Sequence, residues 1–218
     1  MSATMDDKAA PPPRKMSRDA RRGQLIESTI ETMARRGYAR TTLTEVATQA
    51  GLSHGLVNFH FQTKEKLLTE TLVYLADEYQ RNWMAALEAA GPAPAAKLAA
   101  LIAADFAPHI CTPSRLSAWC SFWGEAQSRP IYQERCGSND AAYNKGMEQI
   151  CATLVVEGGY DCDPVRAARI IRLTIEGVWL DLMTMNHPYS VAEGLTTVYT
   201  CATAFFPRDF GPQGMRVV

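Results

Sequence analysis

Apolar residues recur along the chain at intervals of three and four, and no stretch shows the period of two that marks a half-buried strand. The pattern predicts an all-α protein of about nine helices. Leu25, Ile26, Thr29, Ile30 and Met33 make one face of a first helix over 17–36, which Gly37 ends. Two short helices follow over 43–50 and 53–60. A long helix over 63–89 carries a broad stripe of Leu67, Leu68, Leu72, Leu75, Tyr79, Trp83 and Leu87, and Gly91, Pro92 and Pro94 break the chain after it. Further helices are expected over 94–106, 114–127, 130–157, 164–185 and 191–206, with Pro108, Pro113, Pro130, Gly158-Gly159 and Pro188 at the joints. Gly137-Ser138-Asn139 is a weak point within the 130–157 helix. Residues 1–13, with three consecutive prolines, are expected to be disordered, and 208–218 to be a flexible tail.

The stretch 42–68 carries the most information. Thr42 and Glu45 have the spacing of a capping box. Gly51 stands where a left-handed residue ends a helix, and Ser53 can cap the next one. Two short helices joined by a Gly-containing turn are the sequence form of a helix-turn-helix, whose second helix enters the major groove of DNA. Ser53, His54, Gly55, Asn58 and His60, with Thr42 at the first cap, are the residues expected on the DNA-facing side. The bland alternative is an ordinary helical hairpin. Thr63 caps the long helix, and Lys64 and Lys66 in its first turn oppose the helix dipole. A DNA phosphate held at that helix start gives Lys64 a reason to be there.

Ala47, Ala50, Gly51, Ser53, Gly55, Leu56, Val57, Phe59, His60, Phe61, Lys64, Glu65, Leu67 and Leu68 form one ungapped run. That run resembles the DNA-binding domain of the tetracycline-repressor (TetR) family. The resemblance implies a helix-turn-helix head over 14–62 and a ligand-binding and dimerisation body over 63–207. One position departs from the pattern: the family commonly has Tyr where this chain has Asn58, so its base preference cannot be carried over.

Charge supports the division. Net charge is −1 over 218 residues, but residues 1–66 carry +4 and the remainder −5. A basic head on an acidic body holds DNA at one end only. Arg14, Lys15, Arg18, Arg21 and Arg22 form a basic lead-in expected to lie on the DNA backbone. Cysteines at 111, 120, 136, 151, 162 and 201 make no CxxC pair, and reduced thiols in a cytoplasmic protein are the expectation. No secretory signal or membrane-length apolar run is visible. No nucleophile–base pair stands out, and His54, His60, His109 and His187 form no catalytic or metal site, so neither enzyme activity nor a metal or cofactor is expected.

Two features of the body suggest function. Ile171, Ile175, Val178 and Leu182 make one helix face, with Gly177 beside it, while Leu195, Val198, Tyr199 and Ala202 make another. They are core or a dimer interface, and the family resemblance implies the interface, a four-helix bundle that pairs two heads on a palindromic operator. Trp119, Phe122 and Trp123 share a helix face, and Trp179 stands near Glu176 and Asp181. They are plain core or an aromatic cage for a quaternary ammonium, closed by a carboxylate from Glu125, Glu176 or Asp181. The runs 118–147 and 175–181, through Trp119, Phe122, Trp123, Pro130, Asn139, Gly177 and Trp179, resemble the BetI-type branch, the choline-responsive repressors of glycine-betaine synthesis. That resemblance implies a repressor released by choline or a related quaternary amine. The alternatives are a multidrug or acyl sensor, marked by a large apolar tunnel without carboxylates, and a DNA-binding or scaffold protein with no cavity.

Overall fold

The computed structural model describes residues 17–125 and 130–216. The expected disordered tail over 1–13, the basic residues Arg14 and Lys15, and the helix end at Ser128-Arg129 lie outside them. Nine helices are present among the described residues: α1 (Arg18–Arg36), α2 (Leu43–Ala50), α3 (His54–Phe61), α4 (Lys64–Ala89), α5 (Pro94–Asp105), α6 (Pro113–Glu125), α7 (Pro130–Gly158), α8 (Pro164–Thr184) and α9 (Val191–Phe205). The all-α expectation is met. No helix of the described residues is long and apolar enough to cross a membrane.

Local chemistry sets the helix starts. Ser17, Thr42, Ser53, Thr63, Asp163 and Ser190 each accept a backbone N–H of the following first turn, which removes an orphan donor. The capping box at Thr42 is half formed. Thr42 Oγ1 accepts from Glu45 N at 3.2 Å, but the Glu45 carboxylate turns to Arg36 at 3.0 Å. Gly51 ends α2 at φ 65°, the left-handed region that only glycine enters without a Cβ penalty. The Gly137-Ser138-Asn139 segment does not interrupt α7, because Cys136 and Tyr143 on either side of it are buried and hold the helix in place.

The head is a three-helix unit closed by the start of α4. Leu25, Ile30, Met33, Val46, Val57 and Phe61 are fully buried in it. The body packs α4 to α9 around Leu98, Leu101, Ile102, Ile171, Val198 and Ala202. α8 and α9 approach so closely at Gly194 that an added Cβ would lie 2.7 Å from Val178. Head and body share α4 and the α1–α6 packing.

The C-terminal segment differs from expectation. Phe210–Gly211 and Gly214–Met215 pair as a short antiparallel hairpin. Phe210 is fully buried against Tyr199, and Tyr160 donates to Asp209 at 2.5 Å. One aromatic anchor, with this hydrogen bond, holds a segment whose composition reads as loose.

Candidate DNA-reading head and effector pocket

α3 is eight residues long and is held by three inward side chains: Val57, Phe61 and His60. His60 corrects the sequence expectation. It is 5% exposed, three residues after Val57 and therefore on the same helix face, so it does not face DNA. Burial, with Arg22, Arg18 and Arg21 nearby, lowers its pKa and favours the neutral ring. The backbone carbonyl of His60 accepts from Arg22, whose guanidinium lies over the Phe61 ring and pairs with Glu70. Arg22 is thus a strut between α1, α3 and α4, not part of an extended basic arm.

The exposed face of α3 and its cap holds Ser53, His54, Gly55, Asn58 and Phe59. Phe59, 64% exposed, is the residue that reasoning from polarity passed over. Helical spacing from Val57 and Phe61 gives the signal for it, since residue 59 lies about 160° around the helix from both.

Lys64 has a use within the fold. Its ammonium donates to the carbonyls of Tyr38 (3.1 Å) and Ala39 (2.8 Å) and lies 5.6 Å from the Tyr38 ring centre. The turn after α1 supplies the anion-like partner that the sequence reading assigned to a DNA phosphate. Lys66 is the exposed lysine of the first turn of α4.

The body contains a cavity of about 140 Å³ lined by Tyr79, Asp105, Trp119, Trp123, Asp140, Tyr143, Asn144, Arg172, Ile175, Glu176 and Trp179. Trp123 and Trp179 stack with ring centres 6.4 Å apart and planes 10° from parallel, and Trp119 stands 6.4 Å from Trp123. Tyr79 meets the Trp119 and Trp179 rings edge-on. Three of the four expected cage aromatics and Glu176 therefore do line one cavity.

Phe122 and Glu125 do not. Phe122 packs edge-on against Tyr38 of the head, and both line a separate cleft with Glu65, Leu72 and Tyr132. Residue 122 follows Trp119 by three and precedes Trp123 by one, which rotates it off the Trp face toward α1.

The sequence reading missed Asp105. It ends α5, is 0% exposed, and accepts from the Tyr143 hydroxyl at 2.6 Å through Oδ2. Among the described residues its Oδ1 is buried without a hydrogen-bond partner. Burial pushes the Asp105 pKa up to about 7, against the opposing hydrogen bond from Tyr143 and the pull of the Tyr79 hydroxyl nearby. Partial burial and then Glu176 raise Asp140 as well. Trp179 Nε1 donates to the Asp105 carbonyl at 3.2 Å, fixing one wall to the acid. At the rim Arg172 pairs with Glu176.

α6, which carries Trp119 and Trp123, is tied to the head. Arg115 grips Glu78 of α4 through two bonds of 2.7 and 2.9 Å and reaches Glu27 of α1 at 2.9 Å. Tyr74 donates to the same Glu27 oxygen.

The α8–α9 residues expected at a dimer interface are mostly core. Ile171, Ile175, Val178, Val198, Tyr199 and Ala202 are buried within the chain, and Leu182 and Leu195 are half-buried. α8 has a second apolar stripe facing out: Ile170, Leu173, Gly177 and Leu180, all exposed. Two stripes on one helix explain the misassignment, because periodicity alone does not say which one is buried.

A three-helix head with a helix-turn-helix, joined to a helical body with an acidic aromatic cavity, is the architecture of a DNA-binding regulator. Residues 25–71 match the bacterial regulatory proteins of the tetR family, and residues 94–207 match the C-terminal domain of BetI-type transcriptional repressors. The chain therefore belongs to the BetI-type branch of the TetR family of transcriptional regulators, and it is not an enzyme. It is 28% identical over 186 residues to the HTH-type transcriptional regulator BetI of Paraburkholderia phytofirmans, covering 82% of this chain and 89% of that one. Identity to BetI of Agrobacterium fabrum is 32% over 150 residues, 63% of this chain and 70% of that one. Two solved structures share the fold. One is a transcriptional regulator of Saccharomonospora viridis in complex with choline (TM-score 0.73, 19% identity, 88% of this chain and 98% of that one). The other is a regulator of Pseudomonas aeruginosa (TM-score 0.72, 24% identity, 87% and 92%).

Proposed function

We propose that the protein is a dimeric repressor that binds a palindromic operator and releases it when choline or a related quaternary amine enters the body cavity. The carrying observation is Asp105: a buried carboxylate with one oxygen unpartnered, at a cavity walled by Trp119, Trp123, Trp179, Tyr79 and Tyr143. A quaternary ammonium has no N–H to donate. It is held by aromatic faces, each worth about 0.5–2 kcal/mol, and by a counter-charge it need not hydrogen-bond. The cavity is well below the ~300–1,000 Å³ of sites for drug-sized ligands, which suits a small cation. The choline complex of the Saccharomonospora viridis regulator supports the same choice. A small cavity lined by Asp105, Asp140 and Glu176 is the opposite of a long apolar tunnel, so an acyl or multidrug ligand fits poorly.

The head is assigned to the operator through Ser53, His54, Gly55 and Asn58, with Thr42 and Ser53 fixing the two helix starts. One eight-residue helix spans too few base pairs to select a site, and two-fold pairing doubles the reading. The outward stripe of Ile170, Leu173, Gly177 and Leu180 is assigned to pairing with a second copy, with Thr197, Thr200 and Ala204 of α9 beside it. Leu173→Glu should turn the dimer into a monomer in sedimentation velocity; an unchanged dimer removes the stripe from the interface.

Calorimetric titration with choline, betaine aldehyde and betaine tests the effector. Choline is expected to bind, and betaine, whose carboxylate meets Asp105, Asp140 and Glu176, to bind far more weakly. Absence of heat with all three, or tighter binding of betaine, overturns the assignment. A mobility-shift titration then reads the release from DNA. A coupling of about 1–3 kcal/mol gives a 5- to 150-fold loss of operator affinity.

A further inference from the structure

We propose that Phe59 reads the 5-methyl group of a thymine in the major groove, and so sets base preference where the family's usual tyrosine is replaced by Asn58. The inference rests on the operator reading given above.

Phe59 is 64% exposed, and α3 gives it no other orientation. Val57, His60 and Phe61 are buried, which fixes the rotation of the helix about its axis. The ring therefore stands on the exposed side of α3 over Gly55, about 40° away around the helix, with Asn58 and His54 exposed on the flank next to it. The His60 ring meets the Phe59 ring edge-on at 5.3 Å, and Gly55, one turn earlier, has open space where a Cβ would be, so most of the ring stays open to an approaching partner.

A single exposed phenylalanine is ordinary on a protein surface. This one sits in unusual company. The Arg18 guanidinium lies 5.9 Å from its ring centre, and Arg18 is itself exposed. Arg21 follows on α1, and Lys66 is exposed at the start of α4. A partner for this surface must be anionic overall yet offer an apolar group at the centre. Duplex DNA meets both requirements. Its phosphates take the cations, and the major-groove edge of an A·T pair carries the thymine methyl, the one apolar group among the base edges. Asn58 and His54, exposed on the adjoining flank of α3, supply the polar contacts to neighbouring bases.

The test uses the full-length protein and a pool of random duplexes, from which the preferred duplex is selected and sequenced. Each thymine of that duplex is then replaced singly by uracil, which deletes the methyl and leaves every hydrogen-bonding edge in place. For the unaltered protein, one position per half-site should lose about fourfold in affinity, the size expected for one buried methyl group. In Phe59→Ala that position should no longer distinguish thymine from uracil, so the two changes are non-additive. Phe59 is exposed, so the variant folds, and circular dichroism checks this. Undiminished thymine–uracil discrimination in Phe59→Ala overturns the proposal, as does a loss equal on all duplexes. If the unaltered protein selects no duplex at all, the operator reading fails first. Selection without any uracil-sensitive position removes only the role of Phe59.

Discussion

Head and body are built from the same element, a capped amphipathic helix, yet they organise polar groups in opposite ways. The head turns most of its polar side chains outward: Ser53, His54 and Asn58 are exposed, while the one polar side chain turned in from that helix, His60, has its Nδ1 buried without a hydrogen-bond partner among the described residues and is held toward its neutral form. The body keeps an unsatisfied acid inside: Asp105 is fully buried with Oδ1 unpartnered, and Trp83 Nε1 is buried without a hydrogen-bond partner among the described residues as well. An outward polar face costs little until a partner arrives. A buried, half-satisfied carboxylate carries a standing penalty of a few kcal/mol. In the first region the partner is large and reads a surface. In the second the partner must bring a compensating charge into the cavity.

The largest test of that contrast is Asp105→Asn. The amide keeps the shape and removes the charge. Choline affinity should fall about 100-fold by calorimetry, in line with ~2–3 kcal/mol for a desolvated charge contact. Operator binding without effector should stay within twofold. Loss of DNA binding together with choline binding would mean that Asp105 serves the fold and not the ligand.

That acid was the least legible part of the chain. The sequence around it, Leu101 to Ala104, is apolar, and nothing local marks residue 105 as functional. Its partners Tyr143 and Tyr79 lie on α7 and α4, and only the packing of those helices on α5 brings them together. The cage was half legible, because Trp119 and Trp123 share a face by spacing alone. Phe122 and Glu125 were misplaced because a helix touching both head and pocket has two functional faces. In the head, helix starts and the Gly51 turn followed from residue type. The error there was His60 against Phe59, where polarity was trusted over the helical register set by Val57 and Phe61.

A second test asks whether the two regions are as separate as they look. Arg115 is the bridge, holding Glu78 and Glu27 from the first turn of the pocket helix α6. Removing one partner of a buried pair costs ~3–5 kcal/mol, and the partial exposure of Glu27 lowers the expectation for Arg115→Ala to about 2–3 kcal/mol of unfolding free energy. The sharper readout is coupling. The variant should bind choline normally yet show a smaller choline-induced loss of operator affinity. An unchanged coupling factor would place the transmission elsewhere, for instance along α4.

The pH dependence of effector binding separates the regions further. The choline charge does not titrate, so any change belongs to the protein. Asp105 is raised from 3.8 to about 7, so below that value its carboxyl is largely neutral. A cation binds the ionised acid, expels the proton, and loses up to about tenfold in affinity per unit as pH falls below 7. Above pH 7 the affinity should level off. Stability without ligand runs the other way. The native state holds a proton that the unfolded chain has released between pH 4 and 7, so stability declines as pH rises through that window. Calorimetry at pH 6 and 8 in buffers of different ionisation enthalpy would detect the proton release at pH 6. A flat profile would rule out Asp105 as the counter-charge.

The smallest expected effect concerns Lys64, and it discriminates between two roles for one charge. A lysine that meets a phosphate releases a counterion, and its removal lowers the salt slope of operator binding by roughly one. A lysine whose ammonium already lies on the Tyr38 and Ala39 carbonyls works within the head instead. Lys64→Ala should therefore leave the slope of log affinity against log salt unchanged and lower the stability of the protein by about 1 kcal/mol, a charged hydrogen bond discounted for partial exposure. Lys66→Ala, at the exposed neighbour, should show the reverse: unchanged stability and a lower slope. If Lys64→Ala gives the lower slope instead, the ammonium leaves its carbonyls on meeting DNA. The head would then rearrange on binding, and it could no longer be contrasted with the body as the region whose polar groups already face their partner.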